Sequence, residues 1–259
     1  MLHIHRRFAS QHLGNRRDIA VYLPPGYNES RERYPVFYLQ DGQNLFDPAT
    51  AFGGQDWRAG ATADDLTAKR EIRPLILVGV YHTGVHRISE YTPTRDRRRR
   101  KGGKADRYAR MLAREIKPFI DREYRTLKPA EHAAVGGSSL GALASLVAAI
   151  EYPRVFGAAA VMSPSIWWDD RSILPLVRAP KAAPRPRIWL DAGTAEGENV
   201  IPDTRALRDT LIQNGWRCGV DLRYREIEGA THSETAWAAR FGAVLSCLFP
   251  PTSLRESAG

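Results

Sequence analysis

The segment EHAAVGGSSLGALASL, residues 131–146, constrains the fold more than any other stretch of this chain. HAAVGG has the small and apolar character of a buried strand, and LGALASLVAAI reads as a helix. The chain must therefore turn from strand to helix within GSSLG, residues 137–141. That is the G-x-S-x-G pattern, which holds its middle residue, Ser139, at the tip of a strained turn. Gly137 and Gly141 leave space where larger side chains would collide with the neighbouring strand and helix. Ser138 is then a neighbour of the presented residue and not the residue itself. A glycine-serine cluster can also merely connect two elements, or cradle a phosphate at a helix N-terminus. The rest of the chain has to choose among these readings.

Around this turn the pattern alternates. RDIAVYLPPGY (17–27) and YPVFYLQDG (34–42) read as strands, residues 57–72 as a helix, PLILVGVY (74–81) as a buried strand, and 104–124 as a helix with apolar residues at helical spacing. After the turn come GAAAVMS, RIWLDAG, a helix near 204–214, VDLRYREIEG and a last helix from Ser233. Such alternation predicts an α/β fold with a mostly parallel central sheet and helices on both faces. With 259 residues, 43% of them hydrophobic, one domain is expected, its core over about 17–249. Residues 178–187, RAPKAAPRPR, read as a Pro-rich surface connection, and 250–259 as a frayed tail. No apolar run reaches the roughly 18 residues of a membrane span, and the first residues lack the apolar core of a signal peptide, so a cytoplasmic location without membrane association is expected. The two cysteines, Cys218 and Cys247, form neither a disulfide framework nor a metal-ligand spacing and are expected to be buried thiols. The formal charge of +9 favours anionic partners without choosing among them.

A serine hydroxyl is a weak nucleophile at neutral pH and needs a base, and the base needs an orienting acid. Only one histidine, His232 in EGATHSETAW, follows Ser139, and it lies between the last predicted strand and the last helix. His82, His86 and His132 precede the serine and are weaker candidates. The acid belongs after RIWLDAG, where Glu196, Glu198 and Asp191 compete; Glu196 ranks first. An oxyanion site needs two backbone N–H groups aimed at the developing charge. Leu140, directly after the serine, supplies one. Gln43 supplies the other if Gly42 lets the chain turn sharply at the end of PVFYLQ.

The motifs VYLPPGY, FYLQDGQNLFD, RISEYTP, KPFIDREYRTL, VGGSSLGALASL, SPSIWW and EGATHSETAW together resemble the putative esterase family of α/β-hydrolases. That family includes enterochelin esterases, esterase D-like S-formylglutathione hydrolases, feruloyl esterases and mycolyltransferases. The likeness runs from about residue 17 to 249 and implies an α/β-hydrolase fold. It also implies a cofactor-free, metal-free serine carboxylester hydrolase with Ser139 as nucleophile, His232 as base, Glu196 as acid, and Gln43 and Leu140 as oxyanion donors. The expected partner is a small-molecule ester, siderophore-like or otherwise acidic or aromatic. Trp57, Arg87, Tyr91, Trp167 and Trp168 are expected to line its cleft. The run Arg95, Arg97, Arg98, Arg99, Arg100 and Lys101 is expected to form a flexible flap near the mouth, drawing in anionic esters. Two other readings use the same sequence: an acyltransferase with the same three residues, and a non-enzymatic polyanion-binding protein on a hydrolase fold. No nucleic-acid partner is expected, because the basic run lacks the interleaved aromatics of a single-strand groove.

Overall fold

The structure is a computed structural model that describes residues 1–178 and 184–251. Ten strands are present among them: β1 (Leu2–Ser10), β2 (Asn15–Tyr22), β3 (Val36–Gln40), β4 (Ile76–Val80), β5 (Arg95–Asp96), β6 (Lys101–Gly102), β7 (Ala133–Ser138), β8 (Ala158–Met162), β9 (Arg187–Gly193) and β10 (Leu222–Ile227). Eight of them form one sheet in the order β1-β2-β4-β3-β7-β8-β9-β10. β3, β4, β7, β8, β9 and β10 run parallel, and β2 pairs antiparallel with β4 and β1. The expected mostly parallel α/β sheet is therefore the observed one. The sheet begins earlier than the sequence reading placed it, because β1 adds an outer strand before residue 17. That strand mixes exposed and half-buried positions and so lacks the apolar run that marked its neighbours.

Alternation along the strands sorts the core into two layers. Val36 and Tyr38 of β3 face one side with Val78 and Val135, while Phe37 and Leu39 face the other with Leu77 and Ala134. The first side is covered by α3 (Ala105–Met111), α5 (Leu140–Glu151), α6 (Ile173–Arg178) and α7 (Val200–Gln213). The second is covered by α1 (Ala59–Ala68) and α8 (Glu234–Leu248). Two short helices, α2 (Arg87–Tyr91) and α4 (Lys117–Glu123), complete the set, with a π-helical turn over Leu112–Ile116 joining α3 to α4. From Leu140 to Ile150, α5 is buried all round, which an alanine-rich, uncharged sequence permits. Among the described residues no helix is long and apolar enough to cross a membrane.

Two expectations are corrected here. Cys218 is exposed and Cys247 only half-buried. Cys218 sits in the tight turn before β10, where Arg217 N–H is bonded to Asp221 and the side chains of the turn point outward. The basic run 95–101, expected as a flexible flap, forms a hairpin held at Asp96. β5 pairs with β6, and buried Asp96 accepts the N–H groups of Arg98 and Arg99 as well as the Arg99 guanidinium. The tail beyond 251 and part of the Pro-rich connection, 179–183, lie outside the described residues.

Candidate active site

The loops after β3, β7, β8, β9 and β10 converge at the carboxyl ends of the parallel strands, where open α/β sheets place their ligands. Ser139 leaves β7 with φ 58° and ψ −123°, a conformation that costs a non-glycine residue about 1–3 kcal/mol and persists only when the surroundings impose it. The surroundings do. A Cβ on Gly137 would meet Gln40 Cβ at 3.0 Å and the Gly141 carbonyl carbon at 3.1 Å, and one on Gly141 would meet Gln40 Cβ at 3.0 Å. β7 and α5 therefore close on β3 only through glycines, and the turn between them has no slack.

The Ser139 hydroxyl faces two partners. His232 Nε2 lies 3.0 Å from Ser139 Oγ, and Ser165 Oγ lies 3.0 Å away on the other side. His232 Nδ1 lies 2.8 Å from Glu196 Oε2. A carboxylate can only accept, so Nδ1 carries the proton and Nε2 offers its lone pair to the serine. The imidazole ring stands edge-on against Trp237, with centroids 4.9 Å apart and planes at 83°. The serine, imidazole and carboxylate are thus in contact, and Glu196, not Glu198 or Asp191, is the carboxylate that touches His232. This chain of groups can pass the hydroxyl proton to the ring and spread the resulting positive charge over the carboxylate.

The Glu196 side chain has no solvent exposure. Burial pushes its carboxyl up, but donors from His232, from Ser163 Oγ at 2.5 Å and from Gly193 N–H at 2.7 Å together outweigh that and hold it below the usual carboxylate range. Asp191, at the end of β9, lies deeper; burial raises its carboxyl despite the opposing Arg240 guanidinium and the Trp189 indole N–H at 2.6 Å. Ser163, Ser165, Arg240 and Trp237 were not singled out from sequence. Ser163 and Ser165 lie in SPS directly after β8, in the segment named there only for its tryptophans. Arg240 carries a signal in hindsight, a charge inside the buried stripe Trp237, Phe241, Val244, Leu245 and Leu248 of α8.

Leu140 is the first residue of α5, and Gln43 is the middle of the turn Gly42–Asn44 after β3. Gly42 is required there, since a Cβ would sit 2.3 Å from the Gly79 carbonyl carbon of β4. That close approach brings the turn back over the sheet and puts Gln43 on the wall of a cleft of about 580 Å³ together with Ser139 and His232. Asp41, Phe52, His82, Arg87 and Glu234 also line it. Arg87 donates two hydrogen bonds to Asp41, at 2.8 and 2.7 Å; burial would lower the guanidinium, but the Asp41 contact outweighs it and secures the cation. Phe52 is 80% exposed at the rim, in a turn whose N–H is held by Asn44.

Of the five residues expected to line the cleft, only Arg87 does so. Trp57, Tyr91 and Trp168 are buried, at 2%, 0% and 2% exposure, and none of them lines the cleft. Trp57 donates its indole N–H to Glu234, Tyr91 receives Asp41 N–H on its hydroxyl, and Trp168 donates to the Thr94 carbonyl. Each aromatic found a polar partner in the interior and packed there instead of facing solvent. Trp167 is half-exposed but lies away from the cleft, under the Arg99 guanidinium. None of residues 95–101 lines the cleft either.

Known proteins resemble this chain in sequence or in fold. The chain is 32% identical over 192 residues to the Bacillus subtilis protein YjcH, covering 74% of this chain and 72% of that one. It is 27% identical over 249 residues to an endo-1,4-beta-xylanase/feruloyl esterase of Xylanibacter ruminicola, covering 93% of this chain and 30% of the larger protein. The enterobactin esterase FES of Shigella flexneri superposes with a TM-score of 0.77 at 21% identity, over 96% of this chain; the chain spans 58% of the length of that enzyme. Residues 10–247 match the family model described as Putative esterase, and the chain belongs to that family.

Proposed function

We propose that the protein is a serine carboxylester hydrolase that works through an acyl-enzyme. The single observation that carries the reading is the contact chain Ser139 Oγ–His232 Nε2 at 3.0 Å and His232 Nδ1–Glu196 Oε2 at 2.8 Å, set on a strained turn that opens into a cleft. Ser139 Oγ attacks the ester carbonyl carbon while His232 Nε2 takes the hydroxyl proton. Glu196 holds the ring in the required tautomer and stabilises the imidazolium. The negative charge that grows on the carbonyl oxygen meets the N–H groups of Leu140 and Gln43, the former at the positive end of α5. Collapse expels the alcohol, which takes its proton from His232. Water, deprotonated by the same nitrogen, then releases the acid and restores Ser139.

The substrate is a small-molecule ester. The relatives include, by name, a feruloyl esterase and an enterobactin esterase, which makes aryl esters the first compounds to try. Phe52 at the rim suits a flat apolar group, and Arg87 is the one cation among the described residues that line the cleft. Asp41 and Glu234 oppose it there, so an acidic group on the substrate has Arg87 alone to meet it. The test compares wild type and Ser139→Ala on p-nitrophenyl acetate and ethyl ferulate. Hydrolysis by wild type and its fall to background in the variant are expected; retained turnover in Ser139→Ala overturns the reading.

A further inference from the structure

Behind Glu196 lies a polar group of residues buried between β9, the loop after β8 and α8. Asp191 and Arg240 are 0% and 5% exposed, and Ser163 is 1% exposed. One nitrogen of Arg240, Nη2, reaches Asp191 Oδ1 at 3.1 Å and Glu196 Oε1 at 3.4 Å, and also donates to Ser163 Oγ. Ser163 Oγ receives the Trp237 indole N–H at 2.9 Å and gives its own proton to Glu196 Oε1 at 2.5 Å. Both lone pairs and the single proton of that hydroxyl are therefore committed, and the proton points at Glu196. Ser163 itself is held with φ 44°, in the left-handed region, by its N–H facing Asp191. The Ser163 hydroxyl, Gly193 N–H and Arg240 Nη2 all reach Glu196 Oε1, and Glu196 Oε2 is left for His232.

Two carboxylates this close, with a single guanidinium between them, cannot be treated separately. Without Arg240 they would repel, and a shared proton would be the least costly outcome. We propose that Arg240, assisted by Ser163, is a positioning residue: it counters Asp191 and pins Glu196 Oε1, so that Glu196 presents an anionic Oε2 to His232. This rests on the hydrolase reading for its functional meaning, but not for its electrostatics. The charged and titratable groups around Glu196 are His232 from the loop after β10, Arg240 from α8 and Asp191 from β9; Ser163, Gly193 N–H and Trp237 complete the shell without charge.

The test follows the Glu196 carboxyl carbon by 13C NMR against pH in wild type, Arg240→Met and Arg240→Met/Asp191→Asn, alongside the pH profile of kcat/KM for p-nitrophenyl acetate. In Arg240→Met the carboxyl midpoint and the acid limb of the profile should both move up by about one pH unit, and KM should change little. Removing the Asp191 charge in the double variant should bring both back at least half-way. A guanidinium that served only to fill space would lower activity equally at every pH, with no rescue by Asp191→Asn, and that result overturns the proposal. If Arg240→Met does not fold by circular dichroism, Ser163→Ala decides: its Glu196 midpoint should rise by a smaller amount, and an unmoved midpoint overturns the proposal. If the midpoints move as stated while wild type hydrolyses no ester, the hydrolase reading fails and the positioning claim stands.

Discussion

Glu196 and Glu234 both lie close to His232, one after β9 and the other in the first turn of α8, and their surroundings drive them in opposite directions. Burial pushes both carboxyls up. At Glu196 the donors win, because His232, Ser163 and Gly193 N–H all converge on it, and the group is held low. At Glu234 burial wins; the Trp57 indole N–H opposes it, the nearby Asp41 charge adds to it, and the group is held high. Asn44 Nδ2 also donates to Glu234, at 3.0 Å, without reversing the balance. The pair teaches that the number of donors and the sign of the neighbours, more than depth, decide which carboxylate stays ionised. A low, ionised Glu196 suits the stabilisation of an imidazolium. A raised Glu234 is the more readily protonated of the two.

The largest effect expected on this pair comes from removing the ring between them. His232→Ala should reduce kcat/KM for p-nitrophenyl acetate to within about tenfold of Ser139→Ala, because nucleophile and base act as one unit. Next, Glu196→Gln should lower kcat by about 10²-fold or more, with KM nearly unchanged, since an amide cannot stabilise the imidazolium and can favour the wrong tautomer. Glu234→Gln should cost less than about tenfold and appear mainly in KM. Steady-state kinetics on the three variants check this order, and a larger kcat loss in Glu234→Gln than in Glu196→Gln would reverse the assignment.

The same comparison sets the pH dependence of stability. Glu196 is lower when folded than unfolded, so its ionisation stabilises the folded state above the usual glutamate range, and that contribution is lost as pH falls through its folded value. Glu234 is higher when folded, so stability declines as pH rises from the usual range through its folded value. Urea denaturation at pH 4 and pH 7 should therefore show Glu196→Gln more destabilised, relative to wild type, at pH 7 than at pH 4. Glu234→Gln should be relatively less destabilised at pH 7. Equal penalties at the two pH values would mean that neither carboxyl is shifted.

How far these residues were legible from sequence follows the range of the interactions that fix them. Ser139, Leu140 and the two glycines are set by a strand-to-helix turn five residues long, and the sheet alternation is just as local. His232 and Glu196 were reached by their order along the fold, and the order was enough to single out His232. Glu196, Glu198 and Asp191 stayed in competition because only the loop after β9, folded back through Gly193 N–H, selects among them. The Arg240 cluster joins residues 28 to 77 positions apart, and no local pattern reports it. The aromatics were misplaced for a related reason: Trp57, Tyr91 and Trp168 each have a polar handle whose partner is distant in sequence, so the choice between interior and cleft could not be made locally. β1 was missed because exposed and half-buried residues fall on both of its faces and a register shift between His5 and Phe8 interrupts any alternation.

The smallest expected effect concerns the basic hairpin. Residues 95–101 lie outside the cleft lining, and Arg99 is committed to Asp96, Trp167 and Trp168. Neutralising Arg97, Arg98 and Arg100 should change kcat/KM for an anionic ester by no more than about twofold at 0.1 M salt, where screening acts over roughly 10 Å. A larger fall, absent with a neutral ester, would restore the steering role expected of this run.

The central claim, that the Ser139 turn carries the nucleophile, is tested most directly by covalent capture. An aryl phosphonate that reacts with activated serines, followed by peptide mass spectrometry, should place one adduct on Ser139, with none on Ser138 or Ser165 and almost none anywhere in His232→Ala. An adduct on Ser138 or Ser165, or labelling of Ser139 that proceeds unchanged in His232→Ala, would contradict the account.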